Sequence, residues 1–477
     1  MSATIDFTTF HNIVAGRPRT APTSYSGTSP ITRAKLWDAP VATQQDVDDA
    51  VVAAQAAFPG WAATPYAERT RLLGEFADLY LRHAESFVEL LMEETGRSRQ
   101  TAAIEVYWAA NWLRYPAQFE IPQKKYEDDE QVIITKYEPL GVVAAICPWN
   151  FPLMLAIGKI APAIATGNCV IVKPSPFTPY TALKLIELAQ QVFPPSTMQV
   201  LGGDATLGPA LVRHPSIQKI SFTGSTATGK EVMRGCVETM KRVTLEMAGS
   251  NPSLILPDID IATTAAQIAG GLWFNAGQVC INARRLYIHA SIYEEFVAAL
   301  ADTTSAMSRD LEGSVGPVQN AMQFEKIGQA LRECRERGYK FAAGGDTHDG
   351  NGGGDEDNDG LWIRPVVLDN PPDGAGILVE EVFGPIIPCK PFHTVDEAIT
   401  LANGTASGLS AIVWTKDAIL AEKIASRLEV GNVFINGAPK PNPAVPFGGH
   451  KQSGMGVEYG LEGLLSFCQI KAVHMYK

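Results

Sequence analysis

The stretch Lys219-Ile220-Ser221-Phe222-Thr223-Gly224-Ser225-Thr226-Ala227-Thr228-Gly229-Lys230 decides how this chain reads. The short apolar run from Lys219 to Phe222 predicts a strand, Gly224 a tight turn, and the residues from Thr226 to Cys236 a helix. Free amides and the positive end of the helix dipole at such a helix start attract phosphate. The spacing of Gly224, Gly229 and Lys230 comes close to the phosphate loop of nucleotide triphosphatases. That loop needs Ser or Thr after its lysine to hold magnesium; Glu231 stands there instead, a carboxylate that repels a triphosphate. A site for another phosphate-bearing cofactor and a plain strand-to-helix turn are the two readings left.

On either side of this unit the same alternation repeats. Val142 to Cys147, Cys169 to Val172, Met198 to Leu201 and Arg242 to Leu245 read as further strands, with helices such as Thr181 to Val192 between them. Alternating strands and helices predict a parallel sheet covered on both faces. A second series follows: helix Ala262 to Asn275, strand Leu286 to His289, helix Ile292 to Asp302, strand Ala411 to Trp414, helix Leu420 to Leu428 and strand Asn432 to Asn436. The fold class is therefore α/β, with two doubly wound α/β domains. Residues 43 to 96 read as two helices, from the spacing of Val47, Val51, Ala54 and Phe58 and then of Leu72 through Phe87 to Met92, with Thr64 and Pro65 opening the second. Gln131 to Tyr137 and Gln469 to Met475 alternate as strands outside both series, and we expect them to form a small bridging, oligomerising β element.

Composition narrows the function. With 39 Lys+Arg against 51 Asp+Glu, the net charge is −12, and no basic cluster is present, so a partner bound through its phosphate backbone is excluded. The longest apolar run, Leu153 to Ile164, is broken by Lys159 and is too short to span a bilayer. The start, MSATIDFTTFHN, has no signal-like pattern, and seven cysteines without a CxxC pair suit a reducing compartment, so a cytoplasmic protein with free thiols is expected. Half of the net charge comes from residues 344–360, a glycine-rich run carrying Asp346, Asp349, Asp355, Glu356, Asp357 and Asp359. Asp355, Asp357, Asp359 and Gly360 follow the opening of a calcium-binding loop. The twelfth position, where a bidentate carboxylate is due, is Val366, so a solvated loop and no metal site is the expectation.

Three other segments carry chemistry. In Phe274-Asn275-Ala276-Gly277-Gln278-Val279-Cys280-Ile281-Asn282 a thiol follows a glycine just after a helix; it reads as a nucleophile or as one more small core residue. Val243-Thr244-Leu245-Glu246-Met247-Ala248-Gly249 puts a carboxylate at the end of an apolar strand, where it is either a general base or a surface acid. Cys147-Pro148-Trp149-Asn150-Phe151-Pro152 holds an amide donor in a rigid loop, suited to an oxyanion or simply to a turn.

Together these segments resemble the aldehyde dehydrogenase superfamily. Further matching pieces are Val172-Lys173-Pro174-Ser175, Glu380-Glu381-Val382-Phe383-Gly384-Pro385 and Pro446-Phe447-Gly448-Gly449 with Lys451-Gln452-Ser453-Gly454. The resemblance implies a Rossmann-like cofactor domain (1–117 and 138–248), a catalytic domain (249–446) and bridging strands (118–137 and 467–477). It implies that Cys280 attacks an aldehyde, that the Asn150 amide and the Cys280 N–H hold the oxyanion, and that Glu246 activates water against the thioester. For the cofactor it implies Lys173 on the adenosine ribose, Gly224 and Ser225 at the pyrophosphate, Glu381 on the nicotinamide ribose with Phe383 nearby, and Trp149 in the same cleft. Phe151, Leu155, Gly158, Val279 and Ile281 would line the substrate tunnel. Gly158 stands where a bulky aromatic is common in relatives, so a roomy apolar entrance for medium or large aliphatic or aromatic aldehydes is expected.

The chain also departs from the pattern. Pro176 replaces the glutamate that usually holds the 2′-hydroxyl in NAD-selective relatives, so NAD is expected with NADP left open. Met247-Ala248 and His450 are further differences. Transfer of the acyl group to coenzyme A is one alternative, disfavoured by Glu246; a non-catalytic nucleotide-binding protein is another, disfavoured by the intact set Cys280, Glu246, Asn150 and Lys173. The expected partner is a small-molecule aldehyde, and the expected assembly a homodimer or homotetramer.

Overall fold

A computed structural model describes residues 5–345 and 360–477. Five parallel strands form the heart of an eight-stranded sheet, in the order Met198–Val200, Cys169–Lys173, Val142–Ile146, Lys219–Thr223 and Arg242–Glu246. Counted along the chain, that order is third, second, first, fourth, fifth. The direction in which strands are added to the sheet therefore reverses between Val142–Ile146 and Lys219–Thr223, and the loops leaving those two strands open a crevice at their carboxyl ends. One loop begins with Cys147 and the other with Gly224. At the far edge Gly454–Met455 pairs antiparallel with the last strand, setting Gly454 opposite Glu246.

The Pro152–Ala165 helix explains why Leu153 to Ile164 is so apolar: all fourteen of its residues are buried. It is the central packing element of the first layer, and no helix among the described residues is long and apolar enough to cross a membrane. The second sheet runs Lys340–Ala343, Val366–Asp369, Ile386–Phe392, Arg285–His289, Pro252–Ile255, Ser410–Trp414 and Asn432–Ile435, parallel except at its first edge. A third sheet pairs Cys468–Tyr476 with Gln131–Pro139 over nine residues, and Lys124–Glu127 completes it.

The structure departs from the sequence expectations in several places. The N-terminal region contains four helices, Gln44–Ala63, Tyr66–Arg82, Ala84–Thr95 and Arg99–Arg114. The expected second helix is broken at His83 (φ −106°, ψ 15°), a one-residue hinge that leaves the apolar spacing in phase and so is silent in the pattern. Helix Ile261–Trp273 ends two residues before Asn275, because Asn275, Ala276 and Gly277 take φ of 55°, 51° and 69°. Ile386–Phe392 escaped notice because Pro388 and Pro391 argue against a strand. Asp355, Asp357 and Asp359 lie outside the described residues; Val366 is buried at the start of a strand.

Candidate active site

Cys280 sits on the loop that follows the left-handed run Asn275–Gly277. Three successive residues in that region, two of them not glycine, are a strained arrangement that survives only when its surroundings hold it. Four side chains do so. Arg284 donates to the carbonyls of Gly277 (2.6 Å) and Val279 (3.0 Å). Asn251 donates to those of Cys280 and Asn282, both at 2.7 Å. Gln278, fully buried, donates to Asn275 and Pro317 and accepts from the Gln319 N–H. Ser410 donates to the Ile281 carbonyl. The Cys280 N–H is left without a backbone partner.

Arg97 ties this loop to the one bearing Asn150. Its guanidinium donates to Asn275 Oδ1 (2.9 Å), to the Asn150 carbonyl and to Glu105, and lies 4.3 Å from the Phe151 ring centroid. Glu105 in turn accepts from the N–H groups of Leu153 (2.9 Å) and Met154 (3.0 Å), capping the Pro152–Ala165 helix, which has no cap of its own. Asn150 thereby sits beside the cysteine loop, where one Nδ2 hydrogen goes to the Gln278 carbonyl (3.1 Å). Its second amide hydrogen is available to a ligand.

Glu246 ends its strand buried, where the Cys280 thiol and the Thr223 hydroxyl both act on its carboxyl, while its Oε1 has no partner. Burial, reinforced by the nearby Glu458, pushes its carboxyl up to about 8. Loss of water, then the negative charges of Glu246 and Glu381, push the half-buried Cys280 thiol well above its ordinary value. The resting pair is thus a protonated thiol facing an acid that titrates near neutrality. Behind Glu246, Lys159 Nζ donates to Thr223 Oγ1 (2.8 Å) and pairs with Glu458, which also accepts from Ser221.

The other side of Cys280 holds the polar and aromatic groups that the sequence pointed to. Glu381 accepts from the Gly249 N–H (3.4 Å), lies 3.9 Å from Arg284 Nε, and is pushed by burial up to about 6. Phe383 packs against the Arg284 guanidinium and edge-on against Trp149, with centroids 5.5 Å apart. Lys173, buried at the end of its strand, donates to the Pro174 carbonyl (3.1 Å). The Gly224 N–H donates to the Glu246 carbonyl and the Ser225 hydroxyl caps its own helix, so the free amides at this turn are those of Ser225, Thr226 and Ala227. Free amides with a cation for phosphate, and a carboxylate with an open oxygen for ribose hydroxyls, are a donor set that fits a dinucleotide.

On the apolar side, Phe151 stacks on Phe274 at 6.2 Å, and Leu155, Val279 and Ile281 are buried. The roomy entrance expected from Gly158 is corrected here. A Cβ at Gly158 would come within 2.9 Å of Tyr459 Cε1, so the Tyr459 ring fills the space that the missing side chain leaves. Arg97, Glu105, Arg284, Asn251, Lys159, Glu458 and Tyr459 were all missed by sequence reasoning. Lys159 alone left a trace, as the one charge in an otherwise apolar helix.

The sequence model of the aldehyde dehydrogenase family matches residues 18–473. The chain belongs to the aldehyde dehydrogenase family. It is 58% identical over 473 residues to aldehyde dehydrogenase LUC3 of a Fusarium species, a match covering 99% of this chain and all of that protein. Its fold superposes on the NAD+ complex of Bacillus cereus aldehyde dehydrogenase with a TM-score of 0.92 at 32% identity, covering 98% of this chain and 96% of that one. The aldehyde dehydrogenase C mutant of Pseudomonas syringae in complex with NAD+ and octanal gives 0.92 at 32% identity, covering 99% and 98%. This aldehyde dehydrogenase is an NAD(P)-dependent oxidoreductase with the two parallel sheets of its relatives.

Proposed function

We propose that this aldehyde dehydrogenase oxidises a medium or large aliphatic or aromatic aldehyde to the free acid through a covalent intermediate on Cys280. The observation that carries the reading is the buried Glu246 carboxyl, with an unpartnered oxygen and acted on by the Cys280 thiol, together with the spare Asn150 amide hydrogen on the loop beside the cysteine. In its ionised form Glu246 takes the thiol proton as sulfur bonds to the aldehyde carbon. The carbonyl oxygen becomes an oxyanion held by Asn150 Nδ2–H and the Cys280 N–H. When bound, a nicotinamide dinucleotide would supply the hydride acceptor needed to take this adduct to a thioester. Once Glu246 has given the thiol proton up to solvent, it takes a proton from water, the water oxygen bonds to the acyl carbon, and the Cys280 thiolate leaves. Thr223, Lys159 and Glu458 form the polar surroundings that let a buried carboxyl gain and lose that proton. Glu246 favours water over coenzyme A as the acyl acceptor.

Lys173, Gly224 and Ser225 would hold the adenosine and pyrophosphate end, Glu381 and Phe383 the nicotinamide ribose, and Trp149 would line the cleft between them. NAD is the favoured acceptor although Pro176 removes the usual carboxylate. Asp204 acts electrostatically on Lys173 and opposes a 2′-phosphate there. The Phe151 and Phe274 rings, with Leu155, Val279 and Ile281, provide an apolar acyl site, in keeping with the octanal complex of the Pseudomonas syringae relative. The first sheet serves the cofactor (1–117 and 138–248) and the second the catalytic cysteine (249–446). The 118–137 and 467–477 strands, whose outer edge is open, join a cytoplasmic homodimer or homotetramer. The test is a screen of aldehydes with NAD and NADP, run beside Cys280→Ala. We expect reduced nicotinamide with the wild type and none with the variant. No turnover with any aldehyde refutes the reading, and activity in Cys280→Ala refutes the nucleophile.

A further inference from the structure

Tyr459 stands where the backbone asks for glycine. Its φ of 59° and ψ of 176° fall in a region that is essentially reserved for glycine. The residue is nevertheless a large aromatic, 3% exposed, with its ring packed edge-on against Trp112 (5.8 Å) and tilted against Phe447 (6.0 Å). Its hydroxyl reaches the Pro152–Ala165 helix: a Cβ on Gly158 would lie 3.0 Å from Tyr459 Oη. Burial first, then the negative charges of Glu458, Glu246 and Cys280, push the phenol well above its ordinary value.

The hydroxyl itself is unused. Among the described residues Tyr66, Tyr80, Tyr180, Tyr287 and Tyr293 all donate to carbonyl or carboxylate oxygens. Tyr25 and Tyr115 have no partner and are sealed from solvent. Tyr459 Oη has no partner either, yet it is not among the sealed atoms. Phenylalanine would pack against Trp112, Phe447 and Gly158 as well as tyrosine does, without a polar atom to desolvate. A strained backbone that retains an unpartnered phenol in an aromatic box against Gly158 points to a ligand that uses the phenol.

We propose that Tyr459 is a specificity-determining residue: its ring, seated on Gly158, closes the acyl pocket, and its free hydroxyl donates to an oxygen atom carried by the aldehyde beyond its reacting carbonyl. The substrate class is then an oxygenated aldehyde, bearing a hydroxyl, ether or keto group along its chain. This deepens the dehydrogenase reading above and rests on it.

The experiment compares hexanal with hexanals hydroxylated at carbons 3 to 6, in the wild type, Tyr459→Phe and Gly158→Ala. The wild type should favour at least one hydroxylated member over hexanal. Tyr459→Phe should lower kcat/KM for that member about tenfold, mostly through KM, and leave hexanal unchanged. Gly158→Ala, which pushes a methyl into the phenol, should erase the same preference with the hydroxyl still present. A uniform effect of Tyr459→Phe on all the aldehydes, or no wild-type preference within the series, overturns the assignment of Tyr459 while leaving the dehydrogenase reading intact. No turnover with any aldehyde in the wild type sinks both.

Discussion

Glu246 is held at odds with its ordinary chemistry, and replacing it with glutamine should make the protein more stable as the pH rises. Burial lifts its carboxyl from 4.5 to about 8. Between those values the folded chain keeps a proton that the unfolded chain has released, so folding loses stability with increasing pH. Below pH 4.5 both states are protonated and the penalty vanishes; above pH 8 it is complete. At about 1.4 kcal/mol per pH unit, the full penalty is about 5 kcal/mol, an upper bound because Glu246 shares its pocket with Cys280 and Glu458. Glu246→Gln keeps the shape and cannot titrate. With about 2 cal/mol/K of unfolding entropy per residue, a 477-residue chain turns that difference into about 5 °C of melting temperature. Melting curves of wild type and variant at matched scan rate, from pH 5 to pH 9, should diverge steadily, with the variant the more stable at the alkaline end. Glu94, Lys219 and Glu381 also titrate within or near this range, but they are common to both proteins and cancel in the comparison. A difference that is flat, or that shrinks as the pH rises, refutes the reasoning. The same ionisation should shape activity: thiol attack and acyl release both need the carboxylate, so turnover should climb toward a limb near pH 8, and Glu246→Gln should slow the first turnover of reduced nicotinamide and leave little turnover after it.

Arg97→Met should cost about 3–5 kcal/mol by leaving Glu105 as an uncompensated buried charge, and should lower kcat by roughly a hundredfold as Asn150 and Asn275 lose their shared donor. Urea unfolding and steady-state rates test both, and a variant with normal kcat would show that Arg97 does not position Asn150. Asp204→Asn keeps the acceptor that caps Thr206 (2.8 Å) but removes a negative charge near Lys173. It should raise the NADP-to-NAD ratio of kcat/KM severalfold; an unchanged ratio would remove Asp204 from cofactor choice.

Much of the first sheet was legible because its information is local. Each parallel strand is a short apolar run ended by a turn residue, and Lys219–Thr223 with Gly224 and the Ser225 cap can be read within a dozen residues. Cys280, Glu246 and Asn150 stood out for the same reason, Glu246 ending a strand and the other two lying in loops just after a regular element. The residues that hold them were not legible, since their partners are far away in the chain. Arg97 meets Asn275 across 178 positions, and Lys159 meets Glu458 across 299. Alone, Arg97 is an ordinary arginine between two helices and Glu458 an ordinary acid near the C-terminus. Burial makes both informative, and burial is a property of the fold.

Gly158 shows how a local reading fails in a particular direction. A small residue on a tunnel-facing helix implies empty space only if nothing else moves into it, and close packing makes that condition rare. Here the refilling residue is Tyr459, 3% exposed, which arrives from the segment after the second sheet. The glycine and the tyrosine are one feature: any side chain at 158 would strike the ring, and a small residue at 459 would leave a void beside Trp112 and Phe447. If the pair lines the acyl pocket as proposed, together they set its volume, and the Tyr459 phenol adds a polar atom to it. An enlarged pocket should result from Tyr459→Ala in the Gly158 background, whereas a bulky residue at Gly158 without that change should disturb the Pro152–Ala165 helix before it alters chain-length preference.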